Sequence, residues 1–485
     1  MENTLRSVAP SSPRPAHRRR PGFRLLSVAI MLCLAAGCST KAPPDSKEVR
    51  QQALGHLDMP AAWRAEDGRG APVNDNWIAG FNDTRLTALA NEAVAANPDL
   101  RVGAVKVEQA NEYVNLAKAK LWPAVNVFGT GGLKGAGGDL SSALQGIMLA
   151  ASWELDLWGR LRYGRNAAEE TAVSVQADFE FARQSIAATT AKGWFTASET
   201  LLQQQITADM VASAGQLAQL AEKRWRIGVG NEQDVALARA NMGSFQDSAA
   251  QVRLAHQQSL RSLEVLLGRY PAAELQASRE LTAMPGPIPV GMPLDMLERR
   301  PDLIAAERRV AAAFHRVGEA KAALLPTISL NASVAVIESN LLDLKEDFSN
   351  PTYGTGARLL APVFQGGALD AQVEIRTLEQ KEAVAQYAAT ALRAINDVEN
   401  ALAAEKVLAD RVLLLQQTLA DNERALALTT QSYQQGAADM RAVQQQLLNT
   451  FATRMALLRV RSEQLAQRVN LHLALGGSFT TVATH

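Results

Sequence analysis

The sequence holds only two cysteines, Cys33 and Cys38, too few for a disulfide framework or a cysteine-rich metal centre. Basic and acidic residues balance at 49 each, so the basic excess that phosphate backbones demand is missing and a nucleic-acid partner is excluded. Aromatic residues are scarce at 5%. After residue 38 no apolar run reaches the roughly 18 residues of a membrane-spanning helix, so any later spanning segment must be β-structure. The six histidines, His17, His56, His256, His315, His472 and His485, are scattered without ligand spacing, which argues against a metal site. The glycine-rich stretch 129–138 lacks the Gly-Lys-Ser/Thr ending of a phosphate loop and reads as a flexible loop. No catalytic constellation is left and no cofactor is implied. The expectation is a protein that is not an enzyme. What is plentiful is alanine and glutamine within a 47% hydrophobic composition, the material of long helices.

The N-terminus is a processing segment. Arg14, Arg18, Arg19, Arg20 and Arg24 precede an apolar run from Leu25 to Ala36, which ends in Leu34-Ala35-Ala36-Gly37-Cys38-Ser39. A basic region, an apolar region and small residues before a cysteine are the pattern of a lipoprotein signal peptide, with Cys38 acylated as the mature N-terminus. Ser39 is not the aspartate of inner-membrane retention, which favours the outer membrane.

An internal repeat organises the rest. Asn97-Pro98-Asp99-Leu100 and Arg300-Pro301-Asp302-Leu303 each open a helical stretch, closed by Pro123 and Pro326; both proline pairs lie 203 residues apart. Leu157-Trp158-Gly159-Arg160 falls opposite Phe364-Gln365-Gly366-Gly367, and Arg226-Ile227-Gly228 opposite Gln434-Gln435-Gly436. Each half reads as a helix, two strands and two long helices.

From Thr327 to Ile337, Ile328, Leu330, Ala332, Val334 and Val336 alternate with polar residues, and from Leu149 to Leu157 the same period of two recurs. Pro123 to Gly131 and Gly354 to Phe364 alternate less cleanly. All four are about the 9–11 residues of a tilted transmembrane strand, but alternation also suits a soluble sheet with one face on a core. Four strands close no open barrel, and bare edges are forbidden in lipid. If the sheet is a membrane barrel, three chains supplying about 12 strands would give one with a lumen. Glu154 and Asp156 share a strand face and are candidates for lining it. Trp122, Trp153 and Trp158 near strand ends suit an interfacial girdle.

Proline is absent from 160–227 and 366–435, each close to 100 Å of helix at 1.5 Å per residue. Val412, Leu415, Leu419, Asn422, Leu426, Thr429 and Tyr433 on the outgoing segment step by three and four. So do Leu448, Phe451, Met455, Leu458, Ser462, Leu465, Val469 and His472 on the returning one, the seam of a coiled coil. Gly228 and Gly436 interrupt these runs and place a hairpin tip in each half.

Residues 76–83 (Asn-Trp-Ile-Ala-Gly-Phe-Asn-Asp), Asn97-Pro98-Asp99-Leu100, Leu121-Trp122-Pro123, residues 153–160 (Trp-Glu-Leu-Asp-Leu-Trp-Gly-Arg), Arg299-Arg300-Pro301-Asp302-Leu303, Pro362-Val363-Phe364-Gln365-Gly366-Gly367 and Asp397-Val398-Glu399-Asn400-Ala401-Leu402 form an ordered series. The series resembles the TolC-like outer membrane factors, the OprM/NodT-type lipoprotein channels of tripartite efflux pumps. The resemblance runs from about Trp77 to Gly476. It implies a mainly α fold with membrane β-structure: a homotrimer whose 12-stranded outer-membrane β-barrel continues as a periplasmic α-helical barrel. It also implies a lipid on Cys38 in the outer membrane. The tips at Gly228 and Gly436 would form a periplasmic aperture facing a periplasmic adaptor protein, itself docked on an inner-membrane pump of the resistance-nodulation-division (RND) type. Asp234 and Asp439, with Arg224 and Arg441 as partners, are the gating candidates, although Ala442 stands where the first half has Asp234.

The expected division is a signal peptide (1–37), a lipidated segment (38–80), a first repeat (81–283), a proline-rich linker (284–299), a second repeat (300–476) and a tail (477–485). The expected function is a passive export duct for drugs or other small solutes. Two alternatives stand beside it: the outer-membrane duct of a type I protein secretion system, and a non-conducting coiled-coil envelope lipoprotein.

Overall fold

The computed structural model of the protein describes residues 40–58, 60, 62–65, 75–130, 145–338 and 351–479; the signal segment, Cys38 and residues 131–138 of the glycine-rich stretch lie outside the described residues. The elements run α1 (Ser46–Leu54), a 3-10 turn (Trp77–Phe81), α2 (Thr84–Ala96), α3 (Pro98–Ala119), β1 (Ala124–Thr130), β2 (Gln145–Leu155), α4 (Arg160–Arg226), α5 (Glu232–Leu266), α6 (Pro293–Arg299), α7 (Pro301–Ala322), β3 (Thr327–Glu338), β4 (Thr352–Leu360), α8 (Ala368–Gln434) and α9 (Met440–Ala474). From α3 to α5 and from α7 to α9 the order repeats. The lengths repeat as well: α4 and α8 each have 67 residues, α5 and α9 each have 35.

Local chemistry sets these boundaries. Pro98 and Pro301 occupy the first helical position, where a missing N–H costs nothing. Before Pro98, the Asn97 side chain accepts from the amides of Asp99 and Leu100, and its amide nitrogen donates to the Leu266 carbonyl at the end of α5 at 3.0 Å. Before Pro301, buried Arg300 donates to the Ala474 carbonyl at the end of α9 at 3.1 Å and pairs with Asp302. Different residues thus tie the start of one helix to the last carbonyls of another in both halves, satisfying groups a helix cannot satisfy itself.

The chain forms two compact units. Among the described residues, one comprises 40–42, 120–130, 145–163, 318–338 and 351–372 and contains a four-stranded antiparallel sheet in the order β1-β2-β3-β4. Strand ends differ from the sequence expectation by one residue in β1 and β3 and by more in β2 and β4, which begin at Gln145 and Thr352 rather than Leu149 and Gly354. β2 stops at Leu155 rather than Leu157, because Asp156 accepts from the Leu161 and Arg162 amides and caps α4. β4 stops at Leu360 rather than Phe364, because Pro362 has no amide to give a ladder.

The second unit, the described residues within 43–119, 164–317 and 373–479, is helical and holds separate cores. Leu303, Val310, Tyr387, Ala391 and Leu471 centre one and Trp77, Leu86, Phe195 and Leu263 another. A third, with Ala221, Val235, Tyr433, Met440 and Phe451, lies among the ends of α4, α5, α8 and α9 nearest the two turns. The expected seam on α8 is its half-buried face, ending in buried Tyr433. On α9, Leu447 is buried and Leu448 exposed, a one-residue correction to the expected seam. The rest of the expected α9 seam is buried or half-buried, and near its start α9 also meets α5, where Asn241 donates to Gln444 at 2.6 Å.

Candidate functional site

Two regions of the chain carry the features that bear on function, the paired helical turns in one unit and the sheet in the other. The turns are copies of one design. Gly228 adopts φ +79° and Gly436 φ +80°. The amides of Gly228 and Val229 return to the Trp225 and Arg224 carbonyls, and those of Gly436 and Ala437 to Tyr433 and Ser432. This double closure needs a left-handed residue, which glycine supplies without a Cβ penalty. Asn231 then caps α5 by accepting from the Asp234 amide, and Asp439 caps α9 by accepting from the Ala442 amide, both at 2.7 Å. Ala442 therefore does occupy the place of Asp234.

The two turns meet through Arg224. Its guanidinium donates to the Tyr433 and Gln434 carbonyls at 3.1 and 3.2 Å, and to Val229 of its own turn at 3.4 Å. It also lies 4.8 Å over the Tyr433 ring. A cation is thus placed on the C-terminal end of α8, where carbonyls lack partners and the helix dipole is negative, and over an aromatic face. Asp234, half-buried, stands near the Tyr433 phenol; burial, and next the Asp234 carboxylate, push that phenol above its ordinary value. Of the four charged gating candidates, Arg224 and Asp234 are brought together around Tyr433. Asp439 is exposed and serves as a helix cap, and Arg441 is exposed on the first turn of α9. Sequence reasoning placed Tyr433 in a packing seam and missed its part here; its position three residues before Gly436 was the available signal. Glu222, which accepts from Arg226 at 2.5 Å and Arg239 at 3.3 Å, was also missed.

In the sheet, the register puts Ile147, Leu149, Ala151 and Trp153 directly opposite Val336, Val334, Ala332 and Leu330. Val125 and Val127 join this face from β1, and Tyr353, Thr355, Ala357 and Leu359 from β4. One face is therefore apolar across all four strands, and it is exposed: Val127 by 69%, Ile147 by 64%, Val336 by 48% and Leu359 by 67%. A soluble sheet would have buried this face, because monomeric soluble proteins rarely leave so large a patch open. The opposite face carries the polar residues Asn126, Ser152, Glu154, Ser329, Asn331 and Arg358, with Phe128, Met148 and Ala335 beside one another towards one end. Glu154 forms a two-pronged pair with Arg160 at 2.9 and 2.7 Å, and Asp156 accepts from Arg162 at 3.0 Å. Both carboxylates brace the strand-to-helix junction, and Asp156 lies beyond the strand. Trp153 and Trp158 donate to the Leu121 and Pro326 carbonyls at 2.9 and 2.7 Å. Among the described residues no group of metal-ligating side chains forms, and no helix is long and apolar enough to cross a membrane.

With these features in place, the comparisons decide the family. The model for "Outer membrane efflux protein" matches residues 89–269 and 293–477. The chain belongs to the outer membrane efflux protein family. Its curated relatives include the probable efflux pump outer membrane protein TtgC of Pseudomonas putida, 27% identical over 467 residues, 94% of this chain and 96% of TtgC. The pyoverdine export outer membrane protein OpmQ of Pseudomonas aeruginosa is 29% identical over 471 residues, 93% of this chain and 96% of OpmQ. The solved channel CusC superposes with a TM-score of 0.75 at 26% identity, covering 90% of this chain and 99% of CusC. As a member of this family the chain is an outer-membrane channel component of an efflux system, reaching into the periplasm, and not an enzyme.

Proposed function

We propose that three copies of this chain assemble into a passive export duct. The observation that carries the assembly is the sheet: an exposed apolar face spanning four strands, with two edges that lipid does not tolerate. Three copies would supply about 12 strands, enough for a lumen, with the polar face carrying Asn126, Ser329 and Arg358 turned inward. Large apolar side chains also lie exposed along α8, among them Leu378, Leu392, Val407, Leu414 and Leu428, as helices awaiting neighbours would present them.

In this reading Cys38 carries the lipid, and the turns at Gly228 and Gly436 receive a periplasmic adaptor that links the duct to an inner-membrane RND-type pump. Arg224, Tyr433 and Asp234 hold the two turns of one copy together, and adaptor binding loosens them. The cargo is a drug or another small solute driven by the pump. Relatives at 27–29% identity are named for cation efflux and for pyoverdine export, so likeness at this level does not track cargo.

Planar-bilayer recording of the purified protein tests the duct. Expected is a small resting conductance that rises when Arg224 or Asp234 is replaced by alanine. A particle that stays silent with both replaced is a coiled-coil brace. Export of a polypeptide with no change in solute resistance on deletion of the chain would assign it instead to type I secretion.

A further inference from the structure

Resting on the three-copy reading, we infer that the sheets of adjacent copies join β4 to the neighbour's β1 in one particular register, with Ala357 directly opposite Val127. β1 and β4 are the two edges of the sheet. Opposed residues in antiparallel strands point to the same face. The apolar face holds Val125 and Val127 on β1, and Tyr353, Thr355, Ala357 and Leu359 on β4. Continuing that face across the joint requires Val127 to meet one of the odd-numbered residues of β4, since a slip by one residue turns every side chain over. Among the described residues, only two such registers keep all seven of β1 opposite the nine of β4: those that set Val127 against Ala357 or against Thr355. Leu359 would push Ala124 and Val125 past the end of β4.

The stagger chooses between the two. Directly opposed residues lead from Ala124 through Ser152 and Asn331 to Gly356. With Ala357 on Val127, the path re-enters the next copy at Phe128, four residues further along its strand. Three copies then accumulate a shear of about 12 over about 12 strands, the one-to-one ratio that accompanies a tilt of about 36°. With Thr355 on Val127 the path re-enters at Asn126, and the shear of about 6 gives a tilt of only roughly 20°, outside the usual range for membrane barrels. The favoured register also sets Arg358 against Asn126 on the polar face, where the other sets it against Ala124. Finally, it brings the neighbour's Trp122 opposite Pro362. Trp122 is 74% exposed, Val363 95% and Phe364 88%, and they cover one another at the end of the joint.

The test uses the full chain with Val127→Cys combined in turn with Thr355→Cys, Ala357→Cys or Leu359→Cys. Each variant is purified in detergent, oxidised with copper phenanthroline and run without reductant. Directly opposed residues lie within disulfide reach, whereas residues displaced by two along the strand do not. The expected result is a covalent three-chain ring from the Val127→Cys/Ala357→Cys pair, at least about tenfold above the other two pairs and the single-cysteine controls. A ring from either other pair, or no ring from any pair in a particle of three-chain mass, overturns the register and leaves the trimer standing. A particle of single-chain mass overturns the three-copy reading itself.

Discussion

Arg224, on the first long helix, donates to the backbone carbonyl of Tyr433 at 3.1 Å and lies 4.8 Å over its ring. The two residues belong to different repeats, and the second repeat has Ser432 where the first has Arg224. The cross-tie between the tips therefore runs one way only.

Replacing Arg224 should loosen that tie. Arg224→Ala removes three charge-assisted hydrogen bonds and the ring contact, and Arg224→Lys keeps the charge but loses the fork. The expected cost for alanine is about 1–2 kcal/mol at a half-exposed site, or about tenfold in the opening equilibrium. Lysine should recover part of it. Single-channel open time in planar bilayers is the readout, and unchanged open time in both variants would remove Arg224 from the gate.

Tyr433 gives the tips an alkaline limit. Its phenol is raised above the ordinary value of 10.0 by burial first and the Asp234 carboxylate second, so the folded tip prefers the neutral phenol. The stabilisation is fully present below pH 10 and is lost as pH climbs through the raised value. Conductance of the native channel should rise in that alkaline window, and Tyr433→Phe should flatten the rise.

His472 sets an acid limit elsewhere in the helical unit. It is buried and stacked 5.5 Å from Trp77; burial, and then the Arg468 cation, bring its pKa down to about 4. Unfolded chains take up this proton near 6.5, so the stabilisation is present above that pH and disappears as pH falls through about 4. A shift of this size corresponds to on the order of 3 kcal/mol. Thermal midpoints measured from pH 7 to 4 should fall less steeply for His472→Phe than for the native protein.

The start of the described chain is seated on the sheet unit. The Lys41 amide donates to the Tyr163 hydroxyl at 2.9 Å. Gly318 leaves room for the Tyr163 ring, since an added Cβ there would stand 2.6 Å from it. Trypsin should cut after Lys41 slowly in the native protein and several-fold faster in Tyr163→Phe, which loses the acceptor without disturbing the ring. Mass spectrometry of the released N-terminal peptide would show the acyl groups on Cys38 in the same experiment. Equal rates would mean that the hydrogen bond does not hold the segment.

Much of the architecture was legible because it rests on local or periodic signals. Absent prolines gave the helices, Gly228 and Gly436 gave the turns, and the equal spacing of Pro98 from Pro301 and Pro123 from Pro326 gave the duplication. The site was less legible. Asp439 has a carboxylate near a turn, as the sequence showed, yet it is spent on the Ala442 amide. Asp156 looked like a strand residue and is a helix cap.

The sequence by itself determined what each segment must be, since helix propensity, proline exclusion and the two-residue period act between neighbours along the chain. It also showed that some strands would have one apolar face. Only the tertiary structure decided that this face runs unbroken over four strands and stays open, because that depends on register, which is fixed by pairing between strands more than 170 residues apart in the chain. Likewise only the fold decided which charges meet at the tips, because a guanidinium finds unsatisfied carbonyls through space, and nothing in the spacing of Arg224 and Tyr433 along the chain records that meeting.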